Sequence, residues 1–105
     1  MSVKQKTEDL IKSTKVVVFS KSWCPYCRQA KTTLGGHSDL PESDVTVVEL
    51  DQVEDGDAIQ AYLADKTGQR TVPNIFVSGT HLGGNDDLQK ANSSGALKKQ
   101  LTAAA

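Results

Sequence analysis

Cysteine is scarce in this chain. Among 105 residues there are two, Cys24 and Cys27. No other thiol can pair with either, so disulfide staples cannot be what holds the fold together. At this length one continuous core suffices without them. Charge of one sign is also missing. Twelve basic residues stand against thirteen acidic ones, for a formal net charge of -1. With no basic block, nucleic acid is not an expected partner. No stretch approaches the roughly 20 apolar residues of a membrane span, so no membrane association is expected. The first residues, MSVKQKTEDLIK, lack the apolar h-region of a secretory signal, and Glu8 and Asp9 argue against a mitochondrial presequence. Repeats, linkers and low-complexity segments are absent apart from the alanine tail. These absences lead to the expectation of one domain, residues 1–105, in a reducing cytoplasm. There a cysteine pair is more often catalytic or metal-binding than structural.

What is present is ordered by periodicity. VKQKTEDLIKS places Val3, Leu10 and Ile11 on one face of a short helix. KVVVFS, residues 15–20, is β-branched and aromatic without polar alternation, as in a strand buried on both faces. Pro25 suits the first position of a second helix, which Gly35 and Gly36 end. HSDLPESD reads as a loop and VTVVEL, residues 45–50, as a strand. EDGDAIQAYLADKTG reads as a third helix with Ala58, Ile59, Tyr62 and Leu63 inward and Gly68 as its stop. NIFVSGTHLGG predicts a hairpin turning at Ser78-Gly79, with strands near 74–77 and 80–83. NDDLQKANSSGALKKQLTA supplies one or two final helices, with Asn85 as the expected cap. The order α-β-α-β-α-β-β-α predicts an α/β fold: a mixed four-stranded sheet with helices on both faces. In such sheets, sites form beyond the carboxyl ends of parallel strands. The Cys-Pro-Tyr-Cys run lies just past the first one.

The chemistry of CPYC follows from that position. Cys24 precedes Pro25 and so falls at the helix N-cap, where the N–H groups of Tyr26 and Cys27 can point back at its sulfur. The helix dipole adds positive potential, and Lys21 and Arg28 flank the site. All of these favour the thiolate, which is the reactive form. Lowering a thiol pKa from about 8.5 to about 4 takes roughly 6 kcal/mol. A helix end supplies at most about 2 kcal/mol, so hydrogen bonds to sulfur must carry much of any large shift. For attack, the gain in thiolate and the loss of nucleophilicity nearly cancel at a Brønsted slope of about 0.4 to 0.5. As a leaving group a low-pKa thiol is faster throughout. Cys24 therefore suits an exchange nucleophile. Cys27, one turn further in and more buried, suits resolution of the mixed disulfide.

Blander readings compete. CxxC can be half of a zinc site, but the two further ligands would have to be His37 and His81, both remote in sequence. A structural disulfide or inert thiols would not call for the strand–CxxC–helix context. His37 reads as solvated loop and His81 as surface or sheet packing. Trp23 reads as packing or as the rim of a site. Two further clusters stand out. In GQRTVPNIFVSG, Pro73 directly precedes a short apolar strand, where a cis bond in a turn is expected. In GGNDD, Gly83 and Gly84 leave room for a ligand backbone, and Asn85, Asp86 and Asp87 open a helix. For the two acids, capping and dipole compensation compete with ligand binding.

CPYC, TVP and GGNDD, in this order and spacing, resemble the dithiol glutaredoxins. The resemblance runs from the helix near residue 5 to the last helix. Thioredoxins differ, carrying Gly-Pro between the cysteines. GQRTVPNIF with GGNDDL looks most like fungal dithiol members. The resemblance implies a thioredoxin-like fold and a glutathione-dependent oxidoreductase that reduces protein disulfides and glutathione mixed disulfides. It makes Cys24 the nucleophile and Cys27 the resolving thiol. It places Lys21, Tyr26, Gln60, Arg70, Thr71, Val72, Pro73, Gly84, Asn85 and Asp86 around glutathione. Lys21, Gln60 and Arg70 would meet the glycine carboxylate end. Val72, held by a cis Pro73, would pair its backbone with the cysteinyl unit, and Asp86 would accept the γ-glutamyl ammonium. Free N–H groups at the helix start would take the γ-glutamyl carboxylate. Glutathione enters as co-substrate, with no tightly bound cofactor expected. The implied partners are glutathionylated or disulfide-bonded proteins and, indirectly, glutathione reductase, for a monomer. Trp23 departs from the smaller residue or tyrosine that often precedes the cysteine, which bears on substrate preference. Two alternatives stand beside this reading. One is a dimer holding an iron–sulfur cluster through Cys24 and glutathione, from which Pro25 and Tyr26 depart. The other is a thioredoxin-type reductase served by a flavoprotein.

Overall fold

Val16, Val17, Val18, Phe19 and Ser20 all have 0% exposure. They form β1 (Val16–Ser20), which in this computed structural model of residues 2–102 is an inner strand of the sheet. Its side chains leave alternately to two faces, so an unbroken apolar run must be covered twice. On one face Val16 and Val18 join Ala30 and Leu34 of α2 (Pro25–Gly35), Leu88 of α4 (Asn85–Ser94), and Leu97 and Leu101 of α5 (Ala96–Thr102). On the other, Val17 and Phe19 join Ile11 of α1 (Val3–Ser13) and Ile59 and Leu63 of α3 (Gly56–Thr67). Phe19 meets Phe76 edge to face at 6.1 Å.

The sheet order is β2-β1-β3-β4, with β2 at Val45–Glu49, β3 at Asn74–Val77 and β4 at Thr80–Gly83. β1 runs parallel to β2, from Val16 opposite Val45 to Ser20 opposite Glu49. It runs antiparallel to β3, with Val18 opposite Ile75, and the hairpin adds β4 at the far edge. The mixed sheet covered on both faces is the architecture the element order predicts. Ser2 caps α1 by accepting a hydrogen bond from the Gln5 N–H at 3.1 Å.

Three expectations are corrected. The third helix begins at Gly56, not Glu54, and its inner stripe is Gly56, Ile59 and Leu63; Ala58 is exposed and Tyr62 half-buried. Tyr62 instead donates its hydroxyl to Glu8, which also pairs with Lys66 at 2.8 Å and so ties α1 to α3. The phenol is pushed up to about 12, chiefly because its hydroxyl donates a hydrogen bond to the Glu8 carboxylate. The 37–44 loop holds a 3-10 turn, Glu42–Asp44, and its Leu40 enters the core. Within it His37 is not simply solvated, since its Nε2 meets Asn92 Oδ1 at 2.7 Å. Finally, Gly84 rather than Asn85 occupies the N-cap of α4, and Asn85 is the first helical residue. The last helical stretch is two helices, parted at Gly95 with φ of 84°.

Gly56 packs so closely on the end of β2 that a Cβ there would lie 1.8 Å from the Leu50 carbonyl oxygen. At Gly35 nothing lies within 4 Å of a Cβ. Gly56→Ala is therefore expected to lower stability by about 2 to 3 kcal/mol, as overpacking against backbone does. Gly35→Ala should raise it by about 0.5 kcal/mol through the unfolded chain's entropy. Urea unfolding midpoints of the two variants check both signs.

Candidate active site

β1 ends at Ser20, and the next four residues carry the chain from the sheet into α2. Asp51 pins this connection, accepting from the Ser22 backbone N–H at 3.0 Å and from the Ser22 hydroxyl. Cys24 is the N-cap of α2, with extended backbone (φ -85°, ψ 120°), and Pro25 opens the helix. Cys24 retains 6% exposure and Cys27 none. Both thiols are free.

Their environments push the two pKa values apart. Burial alone would raise the Cys24 thiol. It is outweighed by the backbone N–H and thiol of Cys27, the backbone N–H of Tyr26 and the Arg28 charge, so the net shift is downward. For Cys27 burial dominates and pushes the thiol up. The Cys24 sulfur adds to the rise, while the Lys21 backbone and the Ser20 hydroxyl oppose it. The chain thus sets two thiols of opposite tendency within a single helical turn, Cys24 the more readily ionised and Cys27 the less.

Beside Cys24 lies an open cavity of about 520 Å³. Tyr26, Thr71, Val72, Pro73, Gly84, Asn85 and Asp86, all singled out in the sequence, line it. The Val72–Pro73 bond is cis, as expected of that turn, and the Val72 carbonyl lies 4.0 Å from Cys24 Sγ. Asp86 is exposed. Asp87 also lines the cavity, but its carboxylate caps its own helix, accepting from the Gly84 N–H at 3.2 Å. Asn85 lines the cavity while nearly buried. Its side chain is buried, donating to Gln29 at 2.8 Å and accepting from Gln89 at 3.1 Å.

The remaining residues lie apart from that cavity. Gln60 and Arg70 line a smaller hollow of about 200 Å³ against α3, where the Gln60 amide donates to the Arg70 carbonyl at 2.8 Å. Lys21 lines neither and holds its ammonium 5.8 Å from the Trp23 ring centroid. Sequence reasoning missed Gln69, which lines the main cavity and donates to the carbonyls of Thr71 at 3.0 Å and Pro73 at 2.9 Å. The available signal was an amide side chain just before a proline turn whose carbonyls need donors. His81 belongs to the sheet, bonded to Asn74 at 2.8 Å and packed on Phe76. Among the described residues no group of three or more His, Cys, Asp or Glu is placed to hold a metal ion.

Residues 16–82 match the family model described as Glutaredoxin. The chain belongs to the glutaredoxin family. Glutaredoxin-1 of Rhizophagus irregularis is 48% identical over 101 residues, 96% of each chain. Glutaredoxin-1 of Saccharomyces cerevisiae is 46% identical over 94 residues, 90% of this chain and 86% of its own. Among solved structures, a buckwheat glutaredoxin–glutathione complex superposes with a TM-score of 0.84 at 44% identity, over 95% of this chain and 87% of that one. The fold is thus thioredoxin-like, and the protein is a glutathione-dependent thiol oxidoreductase.

Two aromatics at the glutaredoxin's cysteine pair are exposed, Trp23 just before Cys24 at 64% and Tyr26 between the cysteines at 63%. The thiol electrostatics are directly testable. As the pH is raised, iodoacetamide should modify Cys24 before Cys27, since the depressed thiol ionises first. Arg28→Ala removes one of the charges favouring the thiolate and should move the alkylation midpoint upward. Mass spectrometry of the modified peptide reads both effects.

Proposed function

We propose that this glutaredoxin reduces glutathione mixed disulfides by a one-thiol route and protein disulfides by a two-thiol route, with Cys24 as nucleophile in both. The observation that carries the reading is a depressed, slightly exposed thiol at a helix N-cap, beside a cavity of peptide dimensions. In the one-thiol route the Cys24 thiolate attacks the glutathione sulfur of a mixed disulfide, and the protein thiolate leaves. A second glutathione thiolate then attacks that sulfur, forming oxidised glutathione and releasing Cys24 as a thiolate. In the two-thiol route Cys24 bonds to the substrate protein, and Cys27 displaces that protein by forming the Cys24–Cys27 disulfide.

Glutathione is read into the main cavity, by analogy with the buckwheat complex. The Val72 backbone, close to Cys24 Sγ, suits the cysteinyl unit. Asp86, exposed on the rim, suits the γ-glutamyl ammonium. The start of α4 suits its carboxylate, with Asn85 contributing backbone because its amide is already engaged. Gln69 orients the loop by holding two of its carbonyls. Lys21, Gln60 and Arg70 are assigned to the glycine carboxylate, although Gln60 and Arg70 line a separate hollow against α3 and Lys21 lines neither cavity. The reading includes a cytoplasmic monomer, and because the cycle consumes reduced glutathione, glutathione reductase would serve it indirectly.

The test is turnover of a glutathione mixed disulfide, coupled to glutathione and glutathione reductase. Cys27→Ser should keep substantial activity and Cys24→Ser should fall to background. If Cys27→Ser is dead while the wild type turns over, the one-thiol route is wrong. In the same assay Asp86→Asn should raise the KM for glutathione with little change in kcat, since it removes one ion pair that ground and transition states share.

A further inference from the structure

Two tight turns leave the carboxyl edge of the sheet side by side. β1 and β2 pair from Val16–Val45 to Ser20–Glu49, and the Leu50 N–H carries the ladder one step further by donating to the Ser20 carbonyl at 2.8 Å. Beyond that bond each chain segment turns. Residues 21–24 close when the Cys24 N–H donates to the Lys21 carbonyl at 3.1 Å. Residues 49–52 close when the Gln52 N–H donates to the Glu49 carbonyl at 3.0 Å. Asp51 joins the two turns. Its Oδ1 accepts from the Ser22 N–H at 3.0 Å, and its Oδ2 accepts from the Ser22 hydroxyl. Hydrogen bonds to a carboxylate are roughly twice as strong as those between neutral groups.

The ladder already fixes the register of β1 against β2, so this clasp constrains the turn beyond it. That turn leads directly into Cys24. Of its two central residues Trp23 stands out in solvent, so Ser22 is where the turn is held from outside. As a charge, Asp51 works against the reaction, because an anion near a thiol disfavours the thiolate. Its carboxyl is held below the usual carboxylate range, first by the two Ser22 bonds and further by the Lys21 ammonium, so the anion persists at neutral pH. It also offsets part of the positive field of Lys21, which would otherwise favour ionisation of Cys24. What Asp51 offers the site is therefore geometry.

We propose that Asp51 is a positioning residue for the nucleophile: by holding Ser22 it fixes the 21–24 turn, and the turn sets the Cys24 sulfur against the first N–H groups of α2. The inference rests on Cys24 being the nucleophile. On its other side Cys24 is fixed by the helix, whose Arg28 N–H donates to the Cys24 carbonyl at 3.1 Å. Between these two anchors the Cys24 backbone takes φ of -85° and ψ of 120°, and its sulfur receives the N–H groups of Tyr26 and Cys27. A turn free to swing changes those angles, and hydrogen bonds weaken steeply as they lose alignment. Position and charge thus predict opposite signs. Removing the anion and freeing Lys21 would make Cys24 easier to ionise; releasing the turn would make it harder. The other charged or titratable groups around the sulfur are Cys27 and Arg28 on α2 and, across the cavity, Asp86 and Asp87 on α4. The facing Thr71, Val72 and Pro73 carry no charge.

The experiment is the pH dependence of iodoacetamide labelling at Cys24 in the reduced protein, read by peptide mass spectrometry. Asp51→Ala should move the midpoint up by about half a pH unit, the scale of one lost hydrogen bond. Asp51→Asn loses the charge but keeps an acceptor for the Ser22 N–H, so its midpoint should stay below that of Asp51→Ala. An unchanged or lowered midpoint in Asp51→Ala overturns the proposal, because the residue then acts as a charge or not at all. So does an upward shift in Asp51→Asn as large as that in Asp51→Ala. Later labelling of Cys27 than of Cys24 reports that a variant is folded. If the two cysteines label together in Asp51→Ala, Ser22→Ala decides, since it removes only the hydroxyl half of the clasp from an exposed residue. A raised midpoint there supports the clasp, and an unchanged or lowered one overturns it. Alkylation needs no glutathione, so either result is distinct from the turnover of Cys24→Ser, which tests the nucleophile itself.

Discussion

Burial of β1 on both faces is the constraint from which the rest of the structure follows. Five consecutive residues without exposure cannot be satisfied by one layer of helices. The chain therefore places α1 and α3 on one side and α2, α4 and α5 on the other. The same strand then delivers Cys24 to the sheet's carboxyl edge. A helix beginning there must present its unpaired N–H groups to whatever side chain occupies the N-cap. The reactive sulfur is thus positioned by the core rather than by the loop that carries it.

The site works through an opposition between burial and hydrogen bonding. Both cysteines are enclosed, and enclosure alone would keep both protonated. Cys24 escapes because the start of α2 donates to it; Cys27, inside the turn, does not. The sulfur better stabilised as a thiolate is also the better leaving group, which is what an exchange catalyst needs from the residue that must repeatedly be released. Across the cavity the Gln69 side-chain amide, itself part of the lining, holds the carbonyls of Thr71 and Pro73 and so fixes the wall that carries Val72.

Much of this was legible in the chain itself. The unalternating KVVVFS run gave a doubly covered strand. Pro25 after Cys24 gave the helix start and with it the direction of the Cys24 shift. Three short motifs in order gave the family. Less legible were features that depend on neighbours distant in sequence. Asn85 has the composition of a cap, yet its amide is drawn inward by Gln29, 56 residues away, and the cap passes to Gly84. Ala58 fits an apolar stripe, but close approach of α3 to Leu50 selects Gly56 for that face. Gln69 carries no motif, and its importance comes from carbonyls that need donors once the loop is bent.

The sequence by itself determined the element order, the doubly buried strand and the placing of the two thiols at a helix start. These follow from local rules of periodicity, proline geometry and orphan N–H groups, which act over a few residues. Only the tertiary structure decided which helix covers which face. It also separated the Gln60–Arg70 hollow from the main cavity, and it brought Glu49 of β2 beneath a helix that begins 24 residues earlier. Those outcomes turn on strand register and on which side chains compete for the same buried space, and neither is encoded within any one segment.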